Sequence, residues 1–231
     1  MIDLFMPKQI VAIGGGGFTD PEKDYKLERY LLSLTSKESP RVCFLPQASN
    51  EAKEYVVKFY ESFTAMKAIP SWISLFGRVL PTWKDLLMEQ DLIYVGGGNT
   101  RSMLALWKEW GMHQLLKDAY EQGTILAGVS AGAICWFEEC VTDSVWPLGS
   151  IKGLGFLKGS CCPHYDSEPE RKPTFLRMVQ KKQVIPGIAL EDDSAAHYID
   201  GILHKVVISR PNKKAYLISE NDEKPLEAVS L

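Results

Sequence analysis

The chain has 231 residues, 45% of them hydrophobic and 24% charged, with a net charge of −3. That is enough apolar material for one full core, and the absence of any long basic or acidic block speaks against a nucleic-acid or anionic-membrane partner. No apolar run approaches the roughly 18 residues of a membrane span, and the opening MIDLFMPKQIVAIGGGG lacks the charged and apolar regions of a signal peptide, so a cytoplasmic protein is expected.

In chain order, residues 10–13 (IVAI) predict a short buried strand. Gly14, Gly15, Gly16 and Gly17 follow it and invite a dinucleotide-binding reading. G-x-G-x-x-G starting at Gly14 would need a glycine where Thr19 stands, and the next helix begins only at Asp20-Pro21, with Asp20 as its cap and Pro21 at its first position. The cluster reads better as a loop that keeps the backbone low beside a site. A helix is expected over 22–34 and a strand over 42–45. The helix expected over 51–67 has Tyr55, Val56, Phe59, Tyr60 and Phe63 near one face. A strand is expected over 72–76. A short helix at 86–90 leads to a strand over 92–95, then to Gly96-Gly97-Gly98-Asn99-Thr100. Helices over 101–110 and 112–121 precede a strand over 124–127.

That strand runs into Gly128-Val129-Ser130-Ala131-Gly132, a G-x-S-x-G pattern, and then into an apolar run, 133–137, that can continue as a buried helix. A strand turning at once into a helix leaves no room for a Cβ on either side, which accounts for Gly128 and Gly132. Ser130 would stand at the tip with its hydroxyl exposed, and the free N–H groups behind it suit an oxyanion.

After residue 140 the pattern changes. Residues 149–159 are loop-like, Cys161-Cys162-Pro163-His164-Tyr165-Asp166 precedes a charged stretch, and a helix is expected over 174–182. The tail alternates about turn signals at Asp200-Gly201 and Asn212-Lys213, which reads as a mainly antiparallel extension. Strand–helix alternation through residue 137 implies an α/β fold, a parallel sheet with helices on both faces. There is no linker or repeat, so residues 1–231 are expected to form one domain. The three glycine clusters fall at strand C-termini, on the rim where ligands bind such sheets. The five cysteines, Cys43, Cys135, Cys140, Cys161 and Cys162, read as reduced, buried thiols. Cys161 and Cys162, if extended, point to opposite faces. With no H-E-x-x-H and no Cys/His set at ligand spacing, neither a metal nor a cofactor is expected.

Ser130 needs a base, and there are four histidines. His113 falls in a helix away from the rim, and His197 and His204 fall in the alternating tail. His164 follows Pro163 at the end of a strand-like segment, where a loop can hold it over the rim. A third group should orient the imidazole. The acidic run Glu191-Asp192-Asp193, after an apolar strand, and Asp143, after the elbow helix, are the candidates; the run reads equally well as a solvated turn. Ala131 should give one oxyanion N–H, and Gly97 or Gly98 the other. A bulky residue at Gly98 is then expected to slow turnover and leave stability intact.

The segments G-V-S-A-G-A at 128–133, V-G-G-G-N-T at 95–100 and P-H-Y at 163–165 together resemble the dipeptidase E / cyanophycinase family of serine peptidases. The resemblance implies a flavodoxin-like fold akin to class I glutamine amidotransferases, Ser130 as nucleophile and His164 as base. It places the acid at Asp192 or Glu191, with Asp143 matching an alternative assignment. It implies short peptide substrates with aspartate before the scissile bond, or the polymer cyanophycin, and a site that includes Asn99. A pocket for aspartate wants an arginine's planar fork. Arg171 falls near that place, although Glu168-Pro169-Glu170-Arg171-Lys172-Pro173 departs from the family pattern and reads equally as solvated surface. An amide or ester hydrolase would use the same groups, and a non-catalytic binding protein would use the same scaffold. The aromatic content leaves room for a homodimer.

Overall fold

The computed structural model describes residues 7–20, 22 and 24–231. The first half alternates strand and helix: β1 (Gln9–Ile13), α1 (Lys26–Ser33), β2 (Arg41–Leu45), α2 (Lys53–Ala65), β3 (Ile69–Trp72), α3 (Trp83–Met88), β4 (Leu92–Val95), α4 (Thr100–Glu109), α5 (Met112–Glu121) and β5 (Ile125–Val129). One helical turn, α6 (Ala131–Ile134), gives way to β6 (Phe137–Thr142), β7 (Gly149–Lys152) and β8 (Leu157–Cys162). Helix α7 (Arg171–Gln180) precedes β9 (Gly187–Leu190), β10 (Ser194–Ile199), β11 (Ile202–Ile208), β12 (Ala215–Ile218), β13 (Glu223–Pro225) and β14 (Ala228–Ser230).

Among the described residues these strands form two sheets. The first has the order β14-β11-β10-β1-β5-β4-β2-β3. Its centre, β1 to β5, is parallel, and β10 and β11 extend it antiparallel. The run β3-β2-β4-β5 has the flavodoxin-like order, with β1 in the fifth place. The second sheet, β13-β12-β9-β8-β6-β7, has a parallel centre of β6, β8 and β9.

Alternation along each strand decides the layers. Val11, Ile13, Val42, Phe44 and Tyr94 point to one side, into a core with Leu27 and Leu31 of α1 and Phe59 and Phe63 of α2. Ile10, Ala12, Cys43, Leu45, Ile93 and Val95 point to the other. There they share a core with Trp107 of α4, Leu116 of α5 and with Cys140, Cys161, Ile188 and Leu190 of the second sheet. Cys162 faces away from Cys161, into a third core with Phe175 and Val179 of α7.

Several local readings shift. α1 starts at Lys26, and Asp20 accepts the Glu22 N–H at 2.9 Å without capping a helix; Pro21 lies outside the described residues. The third strand is displaced to Ile69–Trp72, where Pro70 is tolerated because β3 is an edge. The helix expected over 133–137 stops at Ile134, because residues from Phe137 onward pair with β7 and β8. β9 and β12, read as part of the antiparallel tail, belong to the second sheet.

Candidate active site

Ser130 sits directly after β5, a strand buried along its whole length. Its backbone has φ 55° and ψ −114°, a conformation that costs a residue with a Cβ about 1–3 kcal/mol. The turn is tied down: the Ser130 N–H donates to the Ile13 carbonyl of β1 at 3.0 Å. Gly132 lies so close to β4 that a Cβ there would collide with the Val95 carbonyl.

Two loops of the second sheet meet Ser130. After β8 and Pro163 comes His164, itself at φ 53°, whose N–H donates to the Gly14 carbonyl at 3.3 Å. His164 Nε2 is 2.8 Å from Ser130 Oγ, and His164 Nδ1 is 2.7 Å from Asp192 Oδ1. A carboxylate only accepts, so Nδ1 carries the proton and Nε2 is left to accept from the serine hydroxyl. Asp192 follows β9, and its own N–H donates to Asp166 Oδ1 at 2.9 Å. Burial opposes ionisation of the Asp192 carboxyl, but hydrogen bonds from His164 and Ser167 and the charges of His164 and Lys213 hold it below the usual carboxylate value. Gly15 passes beneath this pair: a Cβ there would strike the Asp192 carboxylate and lie 2.7 Å from His164 Nδ1.

The other acids point elsewhere. Glu191 accepts from the Lys214 N–H at 2.8 Å and the Tyr216 hydroxyl at 3.1 Å. Asp143 lies 3.4 Å from Arg171 Nη2. Of the remaining histidines, His197 is buried against Tyr30 and Gln9, and burial pushes its pKa down to about 4.

The N–H groups of Ala131 and Gly98 have no acceptor among the described residues. The Gly97 N–H already donates to the Tyr55 hydroxyl at 3.3 Å. Gly98 has φ 133°, and a Cβ there would collide with the Ala48 carbonyl. A bulky residue at Gly98 is therefore destabilising as well, contrary to the expectation from sequence. Asn99 caps α4, accepting from the Ser102 N–H at 2.8 Å, and donates to the Ser144 carbonyl at 3.3 Å.

Gly98, Asn99, Ser130, Asp143, Ser144, His164, Glu168 and Arg171 line one open cleft of about 310 Å³. Arg171 is buried, not solvated. Sequence reasoning passed over three contributors. Tyr55 looked like one more aromatic on a core face, Asp166 like the end of a motif, and Glu168 like part of a solvated charged run. Tyr55 and Asp166 act on loops distant in sequence, so nothing local marks them, whereas Glu168 pairs with Arg171 three residues on. Among the described residues no three His, Cys, Asp or Glu side chains are grouped as metal ligands would be, and no helix is long and apolar enough to cross a membrane.

Known relatives give the class: this chain is a serine-type peptidase, a hydrolase. More particularly, it belongs to peptidase family S51, whose family model matches residues 10–206. It is 47% identical over 211 residues to the uncharacterized peptidase YgaJ of Bacillus subtilis, covering 91% of this chain and 92% of that one. It is 25% identical over 148 residues to peptidase E of Haemophilus influenzae, covering 58% and 64%. The crystal structure of a peptidase from an acI-B1 Actinobacterium superposes with a TM-score of 0.69 at 17% identity, covering 97% of this chain and 96% of that one, and shares its fold.

Proposed function

We propose that the protein hydrolyses short peptides through an acyl-enzyme on Ser130. The supporting observation is the hydrogen-bonded series Asp192–His164–Ser130, with spacings of 2.7 and 2.8 Å. His164 Nε2 takes the hydroxyl proton as Oγ attacks the scissile carbonyl carbon. The oxyanion that develops is held by the N–H groups of Ala131 and Gly98, worth about 3 kcal/mol of barrier each. His164 then passes the proton to the leaving amine, and the carbon–nitrogen bond breaks. A water, deprotonated by the same nitrogen, attacks the acyl carbon and releases the acid and Ser130. Asp192 orients the imidazole and balances its charge while protonated.

The aspartyl preference implied by the family resemblance depends on Arg171 offering two neighbouring donors to a substrate carboxylate. Asn99 is assigned to the wall of the same subsite. The five cysteines are all free and buried, which supports residence in a reducing compartment, the cytoplasm. A fluorophosphonate probe should label wild-type protein at Ser130, located by peptide mapping, and should leave Ser130→Ala and His164→Ala unlabelled. A folded wild-type sample that resists the probe and releases no amino acid from any dipeptide would overturn the reading.

A further inference from the structure

Ser144 lines both the cleft beside Ser130 and a second hollow of about 220 Å³, so the two are neighbours. Val145, Trp146, Pro147 and Ile151 give the second hollow apolar walls, and among the described residues Arg101 is the one charged residue of its lining. Val145 is 59% exposed and Trp146 75%. One such side chain is ordinary on a surface, but here two are adjacent and the segment that carries them is tied to the start of α4. Ser144 Oγ accepts from the Arg101 N–H at 3.2 Å, the Ser144 carbonyl accepts from Asn99 Nδ2 at 3.3 Å, and the hydroxyls of Thr142 and Ser144 lie 2.8 Å apart. Arg101 spends its backbone N–H on that tie; its side chain is exposed and makes no hydrogen bond or ion pair among the described residues. Arg171, across the cleft lining, already has Glu168 and Asp143 beside it.

Arg101 stands three residues after Gly98, whose N–H is one of the two proposed oxyanion donors. A peptide with its scissile carbonyl oxygen on that N–H has its next Cα about 3.8 Å beyond the acyl residue's Cα, and in a dipeptide that Cα bears the terminal carboxylate. The family resemblance gives the acyl residue to Arg171, which leaves the side bounded by Ser144 for the residue that departs. There the planar fork of an arginine meets the one anion every dipeptide carries at that end, and an indole face lies next to it for an apolar side chain. We propose that the second hollow is the subsite for the leaving residue, with Arg101 binding its carboxylate and Val145 and Trp146 covering its side chain. The preferred peptides then end, directly after the scissile bond, in a large apolar residue with a free carboxylate. A longer peptide puts an amide where Arg101 wants the carboxylate, so the same side chain sets the length. This subsite rests on the reading of Ser130 as the nucleophile, but its two contacts can be measured without turnover.

The experiment has a binding arm and a turnover arm. Asp-Phe, its carboxamide and Asp-Gly, the same three with alanine first, and Phe-Ala are titrated calorimetrically into the Ser130→Ala protein and offered to the wild type. Within the tighter-binding of the two series, the Phe peptide should bind roughly tenfold more tightly than its carboxamide, as a charge-assisted pair gives, and severalfold more tightly than the Gly peptide. In the same background Arg101→Gln should erase the preference for the acid and keep the preference for Phe, and Trp146→Ala should do the reverse. Both side chains are exposed, so the fold is kept, and the crossed pattern separates two contacts from a general loosening. A carboxamide that binds as tightly as the acid, an acid preference that survives Arg101→Gln, a Phe preference that survives Trp146→Ala, or undetectable binding of every peptide would overturn the proposal. Phe-Ala that outbinds Ala-Phe and loses its advantage in Trp146→Ala would give the hollow to the acyl residue and overturn the assignment to the leaving one. The crossed pattern in binding, with a wild type that neither turns over peptide nor labels at Ser130, would support the subsite and overturn the catalytic reading alone.

Discussion

The cleft lies between two sheets that contribute differently. The first sheet supplies Ser130 and Gly98 at the ends of adjacent parallel strands, in turns so tight that side-chain atoms are excluded. The second supplies His164 and Asp192 from the loops after β8 and β9, which are also adjacent and parallel. On the first side, position is set by backbone packed on backbone. On the second it is set by charge and hydrogen bonding, with Asp166, Ser167 and Lys213 gathered round Asp192. The contrast teaches that the proposed nucleophile and its proposed oxyanion donors belong to local geometry, whereas the groups proposed to move its proton belong to a remote pairing of strands.

The sharpest way to break this division is Asp192→Asn. If the second sheet sets the imidazole tautomer, kcat/KM on the best dipeptide should fall by about 10⁴, with the thermal midpoint little changed. Near-normal activity would reduce the second sheet's contribution to the histidine alone. Next come two carboxyls with opposite pH behaviour. Glu28 sits behind the first sheet, fully buried, with Oε1 accepting from the Phe18 N–H at 2.7 Å and Oε2 without a partner among the described residues. Burial raises its pKa to about 7 from the model-compound value of 4.5. The folded state therefore binds the extra proton, and stability should decline as pH rises from 4.5 to 7, by on the order of 3 kcal/mol. Glu28→Gln should flatten that decline in denaturant titrations run across the range; an unchanged slope would refute the assignment. Asp192 runs the other way. Its folded pKa lies below 3.8, so its contribution to stability is present above that value and lost as pH falls through the folded pKa. The acid limb should accordingly shrink in Asp192→Asn.

Smaller effects test the backbone side. Tyr55→Phe removes the acceptor for the Gly97 N–H, which fixes the peptide preceding the Gly98 donor. Turnover should drop by roughly fivefold at nearly constant KM, as expected for about 1 kcal/mol lost in the transition state alone. A rise in KM with kcat unchanged would show Tyr55 to be part of the binding surface instead. The smallest effect is on strain: Ser130→Gly should be more stable than Ser130→Ala by about 1 kcal/mol, because only glycine adopts φ 55°, ψ −114° without cost.

The same contrast explains what was legible in the chain. β1, β2, β4 and β5 are largely apolar on both faces and punctuated by glycine or, at β2, by Pro40 and Pro46, and their elements could be read nearly residue by residue. Ser130 and the rim of glycine loops followed from them. The second sheet was hidden because its strands are weak signals: Gly149–Lys152 is GSIK, and Leu157–Cys162 is LKGSCC. Period-2 alternation in such segments does not reveal the partner, so β9 and β12 read as neighbours of β10 and β11. The choice among Glu191, Asp192 and Asp143 was blurred for the same reason, since it turns on how far β9 runs before its loop. Arg171 looked solvated because four of the six residues in Glu168–Pro173 are charged, and only the packing of α7 on β6 buries it.

The cysteines lend themselves to following each sheet as it opens. Cys43 lies in the first sheet and Cys140, Cys161 and Cys162 lie in the second, all fully buried, with burial pushing the thiols of Cys43, Cys140 and Cys162 up to about 12. Such thiols are silent toward alkylating reagents until the segment around them breathes. Pulse alkylation followed by peptide mapping would therefore clock the two halves of the cleft separately, with no label introduced, and would report which half lets go first.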